Sequence, residues 1–313
     1  MHIITHGDCD GICAGAIALH SNKSARIIFS SPIKLYTTLE KIPRDEELIV
    51  CDIAINKSTS NNLVQLFKSF SSHILYIDHH PFPQSIKSQI ASNLTLIQSN
   101  EQCASELVYM FFEKTLPLDV SRIAIYGAIG DYLDNTSQIK SLLENWDKRT
   151  LYFQTGVLVQ ALEDIGRNDG IKAEILQKLS DNVPPSEIDS LLEHAIIAFR
   201  KEEEMRIVIM KNVTKVGAVG YILEPNGPLG KAAVYARAYA NAVVGVAGEI
   251  KQDLVEMSLR TTSRIDLDLI LNKIAPLFGG VGGGHAMAAG AQIPYDKFNE
   301  FVRALNSEVS KAV

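Results

Sequence analysis

The chain has 313 residues, a length that suits two domains better than one, and its 46% hydrophobic and 21% charged residues are enough to build a sizeable core. No apolar stretch is long enough to span a bilayer, and the first apolar run leads straight into candidate site residues, so the sequence predicts no signal peptide and no membrane span. The net charge of −6 argues against a broad electrostatic grip on duplex DNA.

The first half alternates short apolar runs with helical patterns, as in a doubly wound, mostly parallel α/β sheet. His2 to Thr5 reads as a strand ending at His6-Gly7-Asp8-Cys9-Asp10-Gly11, and Ile12 to His20 as a small-residue helix packed close to the sheet. Arg26 to Ser30 reads as a second strand. Leu48 to Cys51 ends at Asp52, and Ile74 to Ile77 ends at Asp78-His79-His80. Helical spacing appears at Asn61 to Phe70, at Ser105 to Lys114 and at Ser121 to Gly130, which delivers Asp131 at its end.

Asp134 to Leu179 reads as mostly helical, interrupted at Gly156 and at Gly166 to Gly170. Asn182-Val183-Pro184-Pro185 is a break, after which Ser186, as N-cap, opens a helix to about Met205. This divides the chain into a first domain over 1–185, a linker helix over 186–205 and a smaller α/β domain over 206–313. In the last part, Ile207 to Met210, Ala218 to Leu223, Ala242 to Glu249 and Leu254 to Leu259 read as strands, with helices at Pro228 to Ala240 and Leu267 to Leu277. The glycine-rich run near 279–290 reads either as a flexible turn before a helix or as backbone shaped to approach an anion, with His285 adding a polar contact.

In open α/β sheets ligands bind beyond the carboxyl ends of the strands. Strand ends carrying only carboxylates and imidazoles therefore converge on one crevice, and so many anions demand cations. His6, Asp8 and Asp10 are spaced by two, so one extended segment can aim all three to one side. Carboxylate oxygens with a minority of imidazole nitrogens suit Mn²⁺ or Mg²⁺ rather than zinc. Each residue also has an ordinary reading: Asp10 as the cap of the helix near Gly11, Asp52 as a turn initiator, His79 and His80 as loop histidines. The cysteines, Cys9, Cys13, Cys51 and Cys103, form no Cys-x-x-Cys pair and read as reduced, buried residues of a cytoplasmic protein.

Taken together, His6-x-Asp8-x-Asp10-Gly11, Asp52, Asp78-His79-His80-Pro81, Gly130-Asp131 and the run Gly279-Gly280-Val281-Gly282-Gly283-Gly284-His285-Ala286-Met287-Ala288-Ala289-Gly290 resemble the DHH/DHHA1 phosphoesterase superfamily over nearly the whole chain. The pattern is similar to RecJ-type nucleases, to nanoRNases and cyclic-dinucleotide phosphodiesterases, and to small archaeal helicase-associated single-strand nucleases. Family II pyrophosphatases share the first four motifs, but their second domain lacks the Gly-Gly-Gly-His run. The resemblance implies a DHH domain with a DHHA1 domain across a cleft. It implies two divalent cations, Mn²⁺ preferred: one on His6, Asp8 and Asp52, the other on Asp10, Asp52, His79 and Asp131, with Asp52 bridging.

By the same resemblance Asp78 and His80 act beside the metals, His80 on a phosphate oxygen or the leaving group. Arg260, with Arg264 competing for the role, grips phosphate alongside Gly282, Gly283, Gly284 and His285. The expected activity is phosphodiester hydrolysis, first as an exonuclease on single-stranded DNA or RNA ends or short oligonucleotides. A cyclic or linear dinucleotide phosphodiesterase is the alternative, and a non-catalytic replication scaffold a weaker one. The implied partners are single-stranded nucleic acid and, as for the helicase-associated relatives, a repair or replication protein.

Overall fold

A computed structural model describes residues 1–89 and 92–312. The chain divides into two units, Met1–Ala198 and a second beginning at Phe199. In the first, strands β1 (His2–Thr5), β2 (Arg26–Phe29), β3 (Leu48–Cys51), β4 (Ile74–Asp78) and β5 (Leu94–Gln98) form an all-parallel sheet in the order β2-β1-β3-β4-β5. The helices of this unit are α1 (Cys9–Ser21), α2 (Leu35–Glu40), α3 (Ser60–Ser69), α4 (Gln84–Lys87), α5 (Ala104–Phe112), α6 (Ser121–Gly130), α7 (Ser137–Leu143), α8 (Lys148–Ile165) and α9 (Asp169–Ser180).

The two faces of the sheet are sorted by the period of two along each strand. Ile3, Ile49, Cys51, Leu75 and Ile77 enter a core shared with α1, α5, α6, α8 and α9. Ile4, Leu48, Val50, Ile74 and Tyr76 face the other way, onto the core of α2 and α3. With both faces covered, the strands read as unbroken apolar runs, as buried parallel strands do. Helix α1 is buried from Cys9 to Leu19, and its cysteines, alanines and glycines let it lie between the sheet and its neighbours. All four cysteines are buried free thiols.

Helix α10 (Leu191–Asn212) runs through the boundary between the units. It begins later than the sequence suggests, because Pro185–Glu187 forms a single 3₁₀ turn. It also ends later: Ile207 to Met210, expected as a strand, lie inside it. Met205 and Ile209, one helical turn apart, are both buried in an apolar cluster with Ala232, Ala233 and Ala236. That packing outweighs the β-propensity of the Ile-Val-Ile run. Gly156 likewise fails to break α8: buried Thr155 and Val157 hold the helix on either side, and the glycine faces open space.

The second unit holds β6 (Thr214–Val216), β7 (Val219–Leu223), α11 (Leu229–Tyr239), β8 (Val244–Lys251), β9 (Leu254–Thr261), α12 (Leu267–Ile274), β10 (Val281–Gly284), β11 (Ala288–Pro294) and α13 (Phe298–Ala312). Its six strands run in the order β10-β11-β9-β8-β7-β6 and pair antiparallel except for β7 with β8. Val244, Val246, Leu259 and Ile293 point to the core under α12 and α13. Ala247 points to the smaller core under α11.

Candidate metal centre

The sheet order places the crossover between β1 and β3, where the chain leaves on opposite sides and a crevice opens beyond the strand ends. His6 and Asp8 follow β1, Asp52 follows β3, and Asp78 closes β4 with His79 and His80 just after it. Asp131 is the C-cap of α6.

Asp8, rather than Asp10, caps α1: its Oδ1 accepts the Gly11 amide at 3.0 Å. The other carboxylate oxygen of Asp8 lies 2.8 Å from His6 Nδ1. Thr5 Oγ1 donates to the Gly11 carbonyl at 2.5 Å, closing the loop from the other side. Gly11 has to be glycine here, because a Cβ would stand 2.5 Å from the His6 carbonyl oxygen. Asp10 has a role the sequence did not reveal. Its Oδ2 accepts the Ala104 amide at 2.7 Å and its Oδ1 the Ser105 amide at 2.9 Å, so it sits on the positive N-terminus of α5.

Asp52 has a positive φ of 56°, unusual for a residue with a Cβ, which turns its 2%-exposed side chain into the crevice. His79 Nε2 lies 3.3 Å from Asp52 Oδ1, and the other ring nitrogen 3.6 Å from Asp131 Oδ2. Asp78 Oδ1 accepts the His79 amide at 2.9 Å and lies 2.8 Å from His80 Nδ1. Asp78 is therefore an orienting carboxylate that turns the opposite edge of the His80 ring outward. Lys172, on α9, donates from Nζ to the Gly7 carbonyl at 2.5 Å. Nothing in the sequence announces this contact across 165 positions.

The donor atoms gather in three groups, each within 4.8 Å: His6, Asp8 and Asp52; Asp10, His79 and Asp131; and Asp52, His79 and His80. The last brings His80 closer to the donors than the sequence implies. Burial, reinforced by the charges of Asp8, Asp10 and Asp78, pushes the Asp52 carboxyl well above its ordinary range. Burial first, then Asp10 and Asp8, lifts Asp131 to about 7. Asp131 also sits at the negative end of α6, which gives it no relief. The hydrogen bond to Asp8 raises the His6 pKa. Burial, the largest single influence on His80, would lower its pKa, but the bond to Asp78 together with the charges of Asp78, Asp131 and Asp8 outweighs it and the net shift is upward. Asp52 Oδ2 and Asp78 Oδ2 are buried without a hydrogen-bond partner. Hard oxygen donors, a few imidazoles and an orphaned buried carboxylate oxygen fit divalent cations of the Mn²⁺ or Mg²⁺ type.

The remaining candidates belong to the second unit. Arg260 is on β9, paired in register with Ala288 of β11 and Gly245 of β8. Its Nη1 donates to the Leu259 carbonyl at 2.9 Å, and its Nη2 lies so near Gly230, in the first turn of α11, that a Cβ there would come within 2.7 Å. A guanidinium beside a helix N-terminus that lacks a side-chain cap concentrates positive charge suited to an anion. The glycine run is not the flexible turn before a helix that one reading of the sequence offers. Gly282, Gly283 and Gly284 form the edge strand β10, and His285 starts the exposed tip of its hairpin with β11.

His285 and Ala288 exchange backbone hydrogen bonds. By the alternation of antiparallel pairing, the Gly283 amide then faces β11, while those of Gly282 and Gly284 face off the edge. The Gly284 amide is taken by Asp268 Oδ1 at 2.8 Å. Backbone approach to an anion along this run thus falls to Gly282 alone among the three glycines.

Comparison with known proteins agrees with this architecture. The profile described as "DHH family, N-terminal domain" matches residues 1–132, and the DHHA1 domain profile matches residues 218–311. No curated protein matches the sequence. Among solved structures, an exonuclease RecJ bound to manganese superposes with a TM-score of 0.65 at 14% identity, over 99% of this chain and 89% of that one. A pGpG-specific phosphodiesterase, PggH from Vibrio cholerae, gives 0.64 at 16% identity over 99% of both chains. RecJ of Thermus thermophilus in complex with Mn²⁺ gives 0.70 at 15% identity over 99% of this chain and 52% of that one. At such identities these likenesses establish the fold. With both domain profiles in sequence order and the motif residues gathered at the strand ends, the chain belongs to the DHH/DHHA1 phosphoesterase superfamily.

Proposed function

We propose that this protein is a metal-dependent phosphodiesterase that acts as an exonuclease on single-stranded DNA or RNA ends and short oligonucleotides. The observation that carries this reading is Asp52, a buried carboxylate with an unpartnered oxygen that belongs to two of the three donor groups. In this reading His6, Asp8 and Asp52 hold one divalent cation, and Asp10, Asp52, His79 and Asp131 hold a second, with Mn²⁺ preferred and Mg²⁺ accepted. When bound, such a pair supplies an acidified water and neutralises charge on the phosphoryl oxygens.

The chain's own residues do the rest. The Asp78–His80 pair presents an imidazole, fixed in orientation and held toward its charged form, to a phosphoryl or leaving-group oxygen. Arg260 offers a planar fork to phosphate. The Gly282 amide, which faces off the edge of β10, and His285 hold the terminal nucleotide, so that ends are substrates. No side-chain nucleophile is required, and the buried thiols take no part. These free thiols suit a reducing compartment, and we assign the protein to the cytoplasm, with a repair or replication protein as a candidate partner. No helix among the described residues is long and apolar enough to cross a membrane.

The similarity to the pGpG-specific enzyme over 99% of both chains favours a second reading, hydrolysis of linear or cyclic dinucleotides. One experiment separates the two: digestion of end-labelled DNA and RNA oligonucleotides in Mn²⁺, beside pGpG, cyclic dinucleotides and circular single-stranded DNA. Progressive shortening from an end, with the circle resistant, supports the exonuclease. Turnover confined to dinucleotides supports the second reading. Cutting of the circle, or full activity in excess EDTA, overturns the proposal.

A further inference from the structure

A cavity of about 830 Å³ opens off the metal centre, entirely within the first unit. His6 and Asp8 form its inner wall. The rest of it is built from segments far apart in sequence: the end of β2 with the loop after it, and the facing ends of α8 and α9. Its volume lies in the range of roughly 300–1,000 Å³ that holds small organic ligands.

The lining has two kinds of surface. Phe29, Val159 and Leu162 give an apolar part, continuous with the core beneath. Lys34, Arg167 and Lys172 give three cations, against the carboxylates of Glu163 and Asp169 and apart from Asp8 of the metal centre. Lys172 spends one of its three donors on the Gly7 carbonyl, which fixes it beside the loop that carries His6 and Asp8. Lys34 and Arg167 are exposed, and among the described residues neither side chain forms an ion pair or hydrogen bond. An acidic protein with 36 carboxylates for 30 lysines and arginines thus leaves two cations unpaired among the described residues at the rim of this cavity beside the metal centre.

We propose that this cavity is a subsite for one nucleotide of the substrate, the unit adjoining the scissile phosphate. Its base packs on Phe29, Val159 and Leu162, and its non-scissile phosphate meets Arg167 and Lys34. An apolar surface alone would suit any greasy group, and cations alone any anion. Their combination next to a phosphodiester centre matches a nucleotide, which carries a flat apolar face and a dianionic end on one frame. The subsite rests on the phosphodiesterase reading above. It differs from the anion groups on β9 and β10, because every residue in it comes from the DHH unit.

The test uses the full chain loaded with Mn²⁺ and titrated calorimetrically with adenosine 5′-monophosphate. Arg167→Glu and Lys34→Glu should each weaken binding of the nucleotide about tenfold or more, since each turns an attraction into a repulsion. Mn²⁺ affinity, measured separately, should hold. Lys114→Glu, an exposed charge reversal outside the cavity, should leave nucleotide binding within about twofold. Lys172 is not varied, because its substitution would also free the Gly7 loop.

Equal nucleotide affinity in the wild type and both cavity variants, or equal weakening by Lys114→Glu, overturns the subsite. So does a wild type that does not bind the nucleotide. The two readings fail separately. Cavity-dependent binding in a chain that hydrolyses no diester keeps the subsite and sinks the hydrolase. Hydrolysis of oligonucleotides with unchanged binding in both variants does the reverse.

Discussion

Replacing Asp52 by asparagine should stabilise the metal-free protein while removing its response to metal. The asparagine amide has nearly the shape of the carboxyl and tolerates the φ of 56° better than most residues, so the backbone need not move. What changes is charge. The donor atoms of His6, Asp8 and Asp52 lie within 4.8 Å of one another, and two like unit charges at that separation repel by about 3.5 kcal/mol at an effective dielectric of about 20. Asp52 also feels Asp10 and Asp78, and it is 2% exposed. Wild type escapes part of this repulsion by keeping a proton, so the expected gain for Asp52→Asn at pH 8 in EDTA is on the order of 1–3 kcal/mol.

The single tryptophan, Trp146, bonded to Ser121 Oγ at 3.0 Å inside the first unit, reports urea unfolding of that unit by fluorescence. Adding Mn²⁺ should reverse the order. A site filled at a hundredfold excess over its dissociation constant stabilises wild type by about 2.7 kcal/mol. The variant, without the shared anion, should gain much less and should lose Mn²⁺-dependent diester hydrolysis. A variant less stable than wild type in EDTA, or equal stabilisation of both by Mn²⁺, would refute the claim that Asp52 is a strained anion held for cations.

Protonation and packing at the same centre give three more expectations. The Asp131 carboxyl rises from 3.8 to about 7 on folding, so its contribution to metal-free stability is full below about pH 4 and lost as pH rises through 7. Urea midpoints in EDTA should therefore fall over that window and flatten in Asp131→Asn, and apparent Mn²⁺ affinity should drop up to about tenfold per pH unit below 7. Asp78→Ala should lower turnover by about 10–100-fold and move the pH–rate limb set by His80 to lower pH, because the carboxylate that favours the charged ring is gone. Gly127→Ala would drive a Cβ into Ser105 Oγ and place it 2.7 Å from Asp10 Oδ1. It should cost about 1–3 kcal/mol in denaturant melts and weaken Mn²⁺ binding, with partial recovery in the double variant carrying Ser105→Ala.

Much of the first unit is legible along the chain, because its information is local. Short apolar runs ending in Asp or His mark strands that are buried on both faces and open at one end. The run from Ser121 to Gly130 is the helix α6 itself, with Asp131 at its cap. The second unit is less legible. Ile207 to Met210 carry β-branched residues, yet they continue a helix because Met205 and Ile209 find partners on α11. The glycine run pairs with residues 289–292, and a strand with so many glycines gives no alternation to read.

The sequence by itself determined which carboxylates and imidazoles gather in one crevice, since motif spacing fixes residue types at strand and helix ends, where an open α/β sheet places its ligands. The tertiary structure alone decided how those side chains are held. Asp8 caps α1, while Asp10 takes the amides of Ala104 and Ser105, 94 and 95 positions away. Lys172 reaches back 165 positions to Gly7, and Arg167 and Lys34 meet only across the cavity that the packed helices enclose. Such contacts depend on which helix ends lie beside which strand ends. That is settled by burying the apolar faces of the whole unit, so no window of neighbouring residues contains it.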